Sequence, residues 1–241
     1  IGYRALAVLA VSLVSVAVTL GTGSEFWLYS LTIVAIYAIA AVGLNLILGL
    51  AGQVSFAQTT FMAVGGYGTA RLTTALGLGP WLGILIPMIA AAVLAVVIGL
   101  PLLRLRGHYL AMATFALALG TNSLAIGAVE ITGGSSGISA IPPLRVGSVV
   151  LGRPADLLVI SWVALALALA TYLVLSRSHL GRAWRALATG PDVAASLGIR
   201  VRRLKVVAFA VAAVMGAVAG SLYAQFSSFI APDFINLTMI I

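Results

Sequence analysis

The chain has 241 residues, of which 62% are hydrophobic and only 7% charged, and it carries a net charge of +8. A water-soluble domain carries about 25% charged residues, so this composition excludes a soluble globule and points to a chain whose solvent is largely lipid. Cysteine is absent, which excludes disulfides, thiolate metal sites and a cysteine nucleophile.

A helix needs about 20 apolar residues to cross the roughly 30 Å hydrocarbon core. The run 3–20, opened by Arg4, reads as a first membrane helix rather than a removable leader, because no small-x-small cleavage site stands beside Glu25. The runs 27–50, 81–103, 109–129, 157–175 and 206–226 are each long enough to span. The segment 53–72 is shorter, more polar and rich in glycine (Gly65, Gly66, Gly68), and is read as a further crossing. An apolar run near 235–241 resembles the start of another span, so the natural protein is expected to continue. The expected fold class is all-α: a polytopic integral membrane protein of about eight transmembrane helices, one of them discontinuous or short, with C-terminal spans missing. The whole of 1–241 reads as one transmembrane domain.

Charge placement orients these segments. With Arg4 in the cytoplasm and one crossing per segment, the inside holds Arg4, Arg104, Arg106, Arg177, Arg182, Arg185, Arg200, Arg202, Arg203 and Lys205. The outside holds Arg71, Arg145 and Arg153. Basic residues favour the cytoplasmic side of a membrane, so the net positive charge reflects topology rather than nucleic-acid binding. Two connections are long: 130–156, expected outside, and 176–205, expected in the cytoplasm.

No Asp, Glu, Lys, Arg or His falls in the middle of a predicted span. Such groups are costly at depth and are kept where they act, so this pattern counts against a proton-coupled carrier and a membrane hydrolase. No catalytic residue and no metal site emerge; His108 is most simply an interfacial residue, and two histidines, His108 and His179, are too few for a metal cluster. No loop ending in Gly-Lys-Ser/Thr is present to cradle phosphates. The chain is expected to hold no cofactor of its own. If transport is driven by ATP, the nucleotide and its Mg belong on a separate ATPase.

Three stretches carry candidate chemistry. In 43–70, Asn45, Gln53, Ser55, Gln58, Thr59 and Tyr67 are neutral hydrogen-bonding groups in or beside apolar helix. Gly49 and Gly52 are expected to stop one helix, and a second is expected to begin about Ser55. A broken helix exposes backbone groups that are tolerated only beside protein or water. In 104–122, Thr114 and Asn122 add polar groups to the next helix. These eight residues are candidates for a solute pathway, and small polar side chains serve equally to pack membrane helices. In the third stretch, Leu180, Trp184 and Leu187 form an apolar stripe beside Arg182 and Arg185. Gly190-Pro191-Asp192 then restarts a short helix, with proline suited to its first turn and Gly198 to its C-terminal stop.

Four collinear segments carry a family resemblance: Gly43–Tyr67, Arg104–Thr114, Thr132–Pro142 and Gly181–Tyr223. The last contains Gly181-Arg182-Ala183-Trp184, then Val193-Ala194-Ala195-Ser196-Leu197-Gly198-Ile199, then Ala219-Gly220-Ser221-Leu222-Tyr223. The sequence resembles the permeases of branched-chain amino acid ABC importers, in particular the Leu/Ile/Val permease subgroup with Arg-Leu-Arg-Gly before a helix. The resemblance implies a multi-pass protein of a bacterial or archaeal inner membrane with a cytoplasmic N-terminus. Its implied partners are a second homologous permease, two ATP-binding cassette ATPase subunits and an extracytoplasmic solute-binding protein. It implies that 190–199 is the coupling helix seated on an ATPase, with Arg182, Trp184, Asp192, Ala194, Ala195 and Gly198 as coupling residues. The segment between Asp192 and Gly198 is about one residue shorter than in many relatives. The glycine-rich helices expected after 227–241 are not in the sequence. Related permeases handle urea, short amides or sugars, and a stand-alone carrier or channel is the alternative outside the importer class.

Overall fold

The computed structural model describes residues 24–235 except 106, 147–148, 197 and 199. The predicted span 3–20, the run beyond 235, and Arg4, Arg106, Leu197 and Ile199 lie outside the described residues. The described chain is mainly helical. Helix α1 (Glu25–Asn45) continues into a π-helical turn, Leu46–Leu50. It is followed by α2 (Gln58–Thr74), α3 (Pro80–Leu102), α4 (His108–Gly127) and the short α5 (Val129–Thr132). Three short strands come next, β1 (Ile138–Ser139), β2 (Leu144–Val146) and β3 (Val149–Leu151). Then follow α6 (Pro154–Arg177), α7 (His179–Thr189), α8 (Pro191–Ser196), α9 (Val201–Ser227) and β4 (Phe229–Ile230).

Local sequence explains the helix starts. Pro80 and Pro154 stand at first-turn positions, where a missing N–H costs nothing. At α6 the Asp156 carboxylate accepts the Arg153 backbone N–H at 3.2 Å. Among the described residues five helices are long and apolar enough to cross a membrane: Glu25–Leu50, α3, α4, α6 and α9. The protein is therefore a multi-pass α-helical membrane protein with minor strand content at one end. Large apolar side chains stand exposed along α3 and α6, among them Val93, Val97, Val163, Leu167 and Val174. Such rows suit contact with lipid, which is as apolar as the side chains.

Helix α9 is the centre of the bundle. Two thirds of its most apolar window is buried, against about a fifth for α4 at the periphery. It packs on α1, α2 and α3, and α6 packs on α1. Its sequence allows this because small residues face α2. A β-carbon on Gly65 would strike the Ala217 carbonyl, and one on Gly220 would strike the backbone of Met62. The two backbones thus meet directly, and Ser221 Oγ donates to the Gly65 carbonyl at 3.1 Å. Membrane helices associate through such close packing and interhelical hydrogen bonds rather than through hydrophobic burial.

Contacts between connections assign the two ends. At one end Trp81 Nε1 donates to the Arg145 carbonyl at 2.7 Å, and β1 pairs antiparallel with β4. At the other, Arg202 Nη2 donates to the Leu100 carbonyl at 3.1 Å, and Gly52 touches Ala188. The second end, which carries the basic residues of 176–205, is the basic end of the bundle. Helix α2 starts near the basic end and finishes at the opposite end, so it traverses the bundle once. At 17 residues it is shorter than the other long helices. A count of eight helices would need spans beyond the described residues.

Candidate functional site

The site grows from the break between α1 and α2. Gly52 adopts φ +64, a left-handed conformation that glycine reaches without a β-carbon penalty. The expectation of a new helix at about Ser55 is corrected by three residues: α2 begins at Gln58. Residues 51–57 run irregularly because their backbone groups find other partners. Ala51 N–H donates to the Leu46 carbonyl at 3.3 Å and Gln53 N–H to the Ile47 carbonyl at 3.1 Å. Phe56 N–H donates to Thr114 Oγ1 at 3.1 Å, and Ala57 N–H to Ser55 Oγ at 3.3 Å. A non-helical segment in a bundle needs this satisfaction. The π-turn at 46–50 is the kind of irregularity that occurs often at functional sites.

A cavity of about 670 Å³ opens beside this break. One wall is a single face of α1, with Tyr37, Ala40, Ala41 and Leu44 at helical spacing, continued by Leu48 of the π-turn. The other wall is Val54, Ser55, Phe56, Gln58, Thr59 and Met62, and Phe234 closes one end. The lining is apolar with a few neutral polar groups, the usual character of a small-molecule site. Gln58 is its best-held polar residue. Its Nε2 donates to the Ala40 carbonyl at 3.1 Å and to the Ala212 carbonyl at 3.3 Å. Its Oε1 is buried without a hydrogen-bond partner among the described residues. Gly43 makes room for this side chain, since a β-carbon there would stand 2.8 Å from Gln58 Nε2.

The eight candidate pathway residues do not converge. Ser55, Gln58 and Thr59 line the cavity; Asn45, Gln53, Tyr67, Thr114 and Asn122 do not. Thr114 is fully buried and faces the Leu110 and Ala111 carbonyls of its own helix at 3.0 and 2.9 Å, while accepting from Phe56. It holds the break in shape from α4. Gln53 is buried with neither amide atom partnered, and the Tyr67 hydroxyl is buried and unpartnered among the described residues. Asn45 closes α1 with its side chain over Gly49, and Asn122 is half-buried on α4. Sequence reading missed Tyr37, Ala40, Ala41 and Leu44, which carry no polar signature that separates lining from packing.

The coupling candidates occupy the basic end. Trp184 is fully buried and Leu187 nearly so. Trp184 packs with Leu46, Leu50, Ala51 and Ala208, and its Nε1 donates to the Leu204 carbonyl at 2.9 Å. Helix α7 therefore lies with its apolar stripe on the π-turn of α1. Its start is capped by Ser178 Oγ, which accepts the Gly181 N–H at 3.4 Å. Arg182 is exposed, with Nη1 donating to the Arg177 carbonyl at 3.4 Å. In α8, Asp192 and Ala195 are exposed and Ala194 is buried. Gly198 follows at φ +76 with its N–H on the Ala195 carbonyl at 3.0 Å, a left-handed end typical of glycine after a helix.

Residues 26–241 match a family model described as branched-chain amino acid transport system / permease component. The sequence is 34% identical to the high-affinity branched-chain amino acid transport system permease protein LivM of Escherichia coli K12, over 84% of this chain and 53% of that protein. It is 32% identical to LivM of Salmonella typhimurium over the same shares. It is 29% identical to LivH of Escherichia coli K12, over 87% of this chain and 75% of that protein. The chain thus spans about half the length of the LivM relatives it matches. No solved structure matches it.

Proposed function

The chain belongs to the permease-component family of branched-chain amino acid transport systems, and from that premise we propose that it is the membrane-spanning permease subunit of an ATP-driven, binding-protein-dependent importer. It works in the bacterial inner membrane with the basic end in the cytoplasm. Its partners are a second permease, two ATPase subunits and a solute-binding protein that delivers branched-chain amino acids at the opposite face. The family is one of transport permeases, and ATP hydrolysis falls to the partner subunits.

One observation supports this reading above the others. Helix α7, adjacent to α8 with its exposed Asp192 and Ala195, is seated by Trp184 on the π-turn that leads into the cavity-lining break. An ATPase gripping α8 through Asp192, Ala195 and Gly198 would move α7 with it. Movement of α7 would bear on Leu46, Leu50 and Gly52, and so on the wall that carries Ser55, Gln58 and Thr59. The apolar face of Ala40, Ala41 and Leu44 suits an aliphatic side chain. Gln58 lines the same cavity, and Ser55, whose Oγ accepts the Ala57 N–H, keeps a hydroxyl proton to donate to a carboxylate.

The solute is tested by purifying the permease with its partners and asking which small molecules stabilise the captured binding protein. Leucine, isoleucine or valine should raise its melting temperature. Stabilisation by urea, a short amide or a sugar, with none by these amino acids, would assign a different solute.

A further inference from the structure

At the basic end a cleft of about 330 Å³ opens between the end of α3 and the start of α9. Arg104, Arg202 and Lys205 line it, with Asp192 and Ala195 of α8 on its rim. Three cations thus face one carboxylate in a single concavity. Arg202 is fixed there by its hydrogen bond to the Leu100 carbonyl. Val201, the first residue of α9, also lines the cleft. The Leu204 N–H donates to the Arg200 carbonyl at 3.2 Å, which places Val201 in the first turn of α9. That end of a helix carries partial positive charge and receives anions.

The surroundings indicate which anion. On the α3 side of the cleft, Val97 and Leu100 precede Arg104 by two helical turns and one, and with Leu105 they stand exposed. Cations above exposed aliphatic side chains match the two halves of a phospholipid, headgroup and acyl chain. Basic pockets between membrane helices at the cytoplasmic face take anionic headgroups. Guanidinium groups suit phosphate oxygens by geometry as well as charge. We propose that this cleft binds a phosphate-bearing anion, supplied by the headgroup of an anionic phospholipid whose chains lie on the exposed aliphatic face of α3. The site requires only this bundle. Its consequence, that an occupied cleft sets the position of α8, rests on the coupling role proposed above.

The test uses the intact protein in detergent, titrated separately with phosphatidylglycerol, phosphatidylcholine and inorganic phosphate. Lipid binding is counted by native mass spectrometry and thermal stability is measured in parallel. Phosphatidylglycerol at saturating excess should raise the melting temperature by about 5 °C or more, and phosphatidylcholine should not. Arg104→Gln should weaken phosphatidylglycerol binding about fivefold, the loss of one cation at a membrane surface. Arg104→Lys should keep most of the affinity, and Arg104→Gln with Lys205→Gln should lose substantially more. An equal shift from inorganic phosphate would support the anion site and assign it to a soluble ion. Equal binding of phosphatidylcholine, or unchanged phosphatidylglycerol affinity in the double variant, would overturn the proposal. Because no transport is measured, failure here leaves the importer reading standing, and failure of that reading leaves this result intact.

Discussion

Gly52 lies flush against Ala188: a β-carbon at position 52 would stand 2.8 Å from the Ala188 Cα and 2.9 Å from its Cβ. The turn that breaks the helix beside the cavity and the amphipathic helix at the basic end are thereby in direct contact. Gly52→Val meets two obstacles, the absence of space and a left-handed backbone costing roughly 1–2 kcal/mol for a side-chain-bearing residue. The expected outcome is a protein that still inserts, melts several degrees lower, and transports at least about tenfold more slowly in the assembled complex, since small displacements near a site cost on the order of 100-fold. Ala188→Leu should behave alike from the other side. Wild-type uptake in both variants would remove the contact from the mechanism.

Trp184 separates packing from hydrogen bonding. Trp184→Phe keeps most of the ring and loses the bond to the Leu204 carbonyl, a net cost of about 1 kcal/mol. Trp184→Ala empties the pocket between α7 and the π-turn and should cost about 3 kcal/mol or more. Thermal denaturation of the purified protein reads the two steps. If the Ala variant is as stable as wild type, α7 is not seated as described.

The crossing of α2 and α9 predicts intolerance of a single methyl group. Gly65→Ala and Gly220→Ala each place a β-carbon into opposing backbone, so both should sharply reduce the yield of folded protein. Ser221→Ala should be mild, about 0.6 kcal/mol, because interhelical hydrogen bonds in membranes are individually weak. Equal expression and melting of all three would show that the helices do not approach at these glycines.

Within the cavity, Gln58→Leu removes both ties to the Ala40 and Ala212 carbonyls and the buried Oε1 acceptor. Uptake should fall at least about tenfold, the effect of one lost polar contact of about 1.4 kcal/mol. Asn122→Leu, on a residue outside the lining, should leave uptake within twofold. Initial-rate uptake with the two variants at equal membrane abundance distinguishes them, and a reversed ranking would move the pathway to α4.

How much of this was legible in the sequence follows from what a pattern can encode. The Leu180, Trp184 and Leu187 stripe showed that one face of a short helix is buried, and the backbone demands of Gly49 and Gly52 showed a break near residue 50. Neither pattern contains the information that the stripe lies on the break, because that depends on residues over a hundred positions apart. The neutral polar residues were visible but ambiguous. A threonine such as Thr114, fully buried and facing its own helix carbonyls, has the same letter as one facing a cavity. The alanines of α1 that line the cavity are chemically indistinguishable from those that pack helices. The extended pairing of β1 with β4 was also unread, since two-residue strands carry no periodicity.

The central claim is that this protein moves solute only when an ATPase drives α8, and reconstitution tests it most directly. Proteoliposomes containing the permease pair and ATPase subunits, with binding protein on the opposite face, should accumulate labelled leucine only with ATP, and Asp192→Lys should abolish both uptake and retention of the ATPase. Leucine accumulation by the purified chain alone, driven by an ion gradient without ATP, would contradict the account.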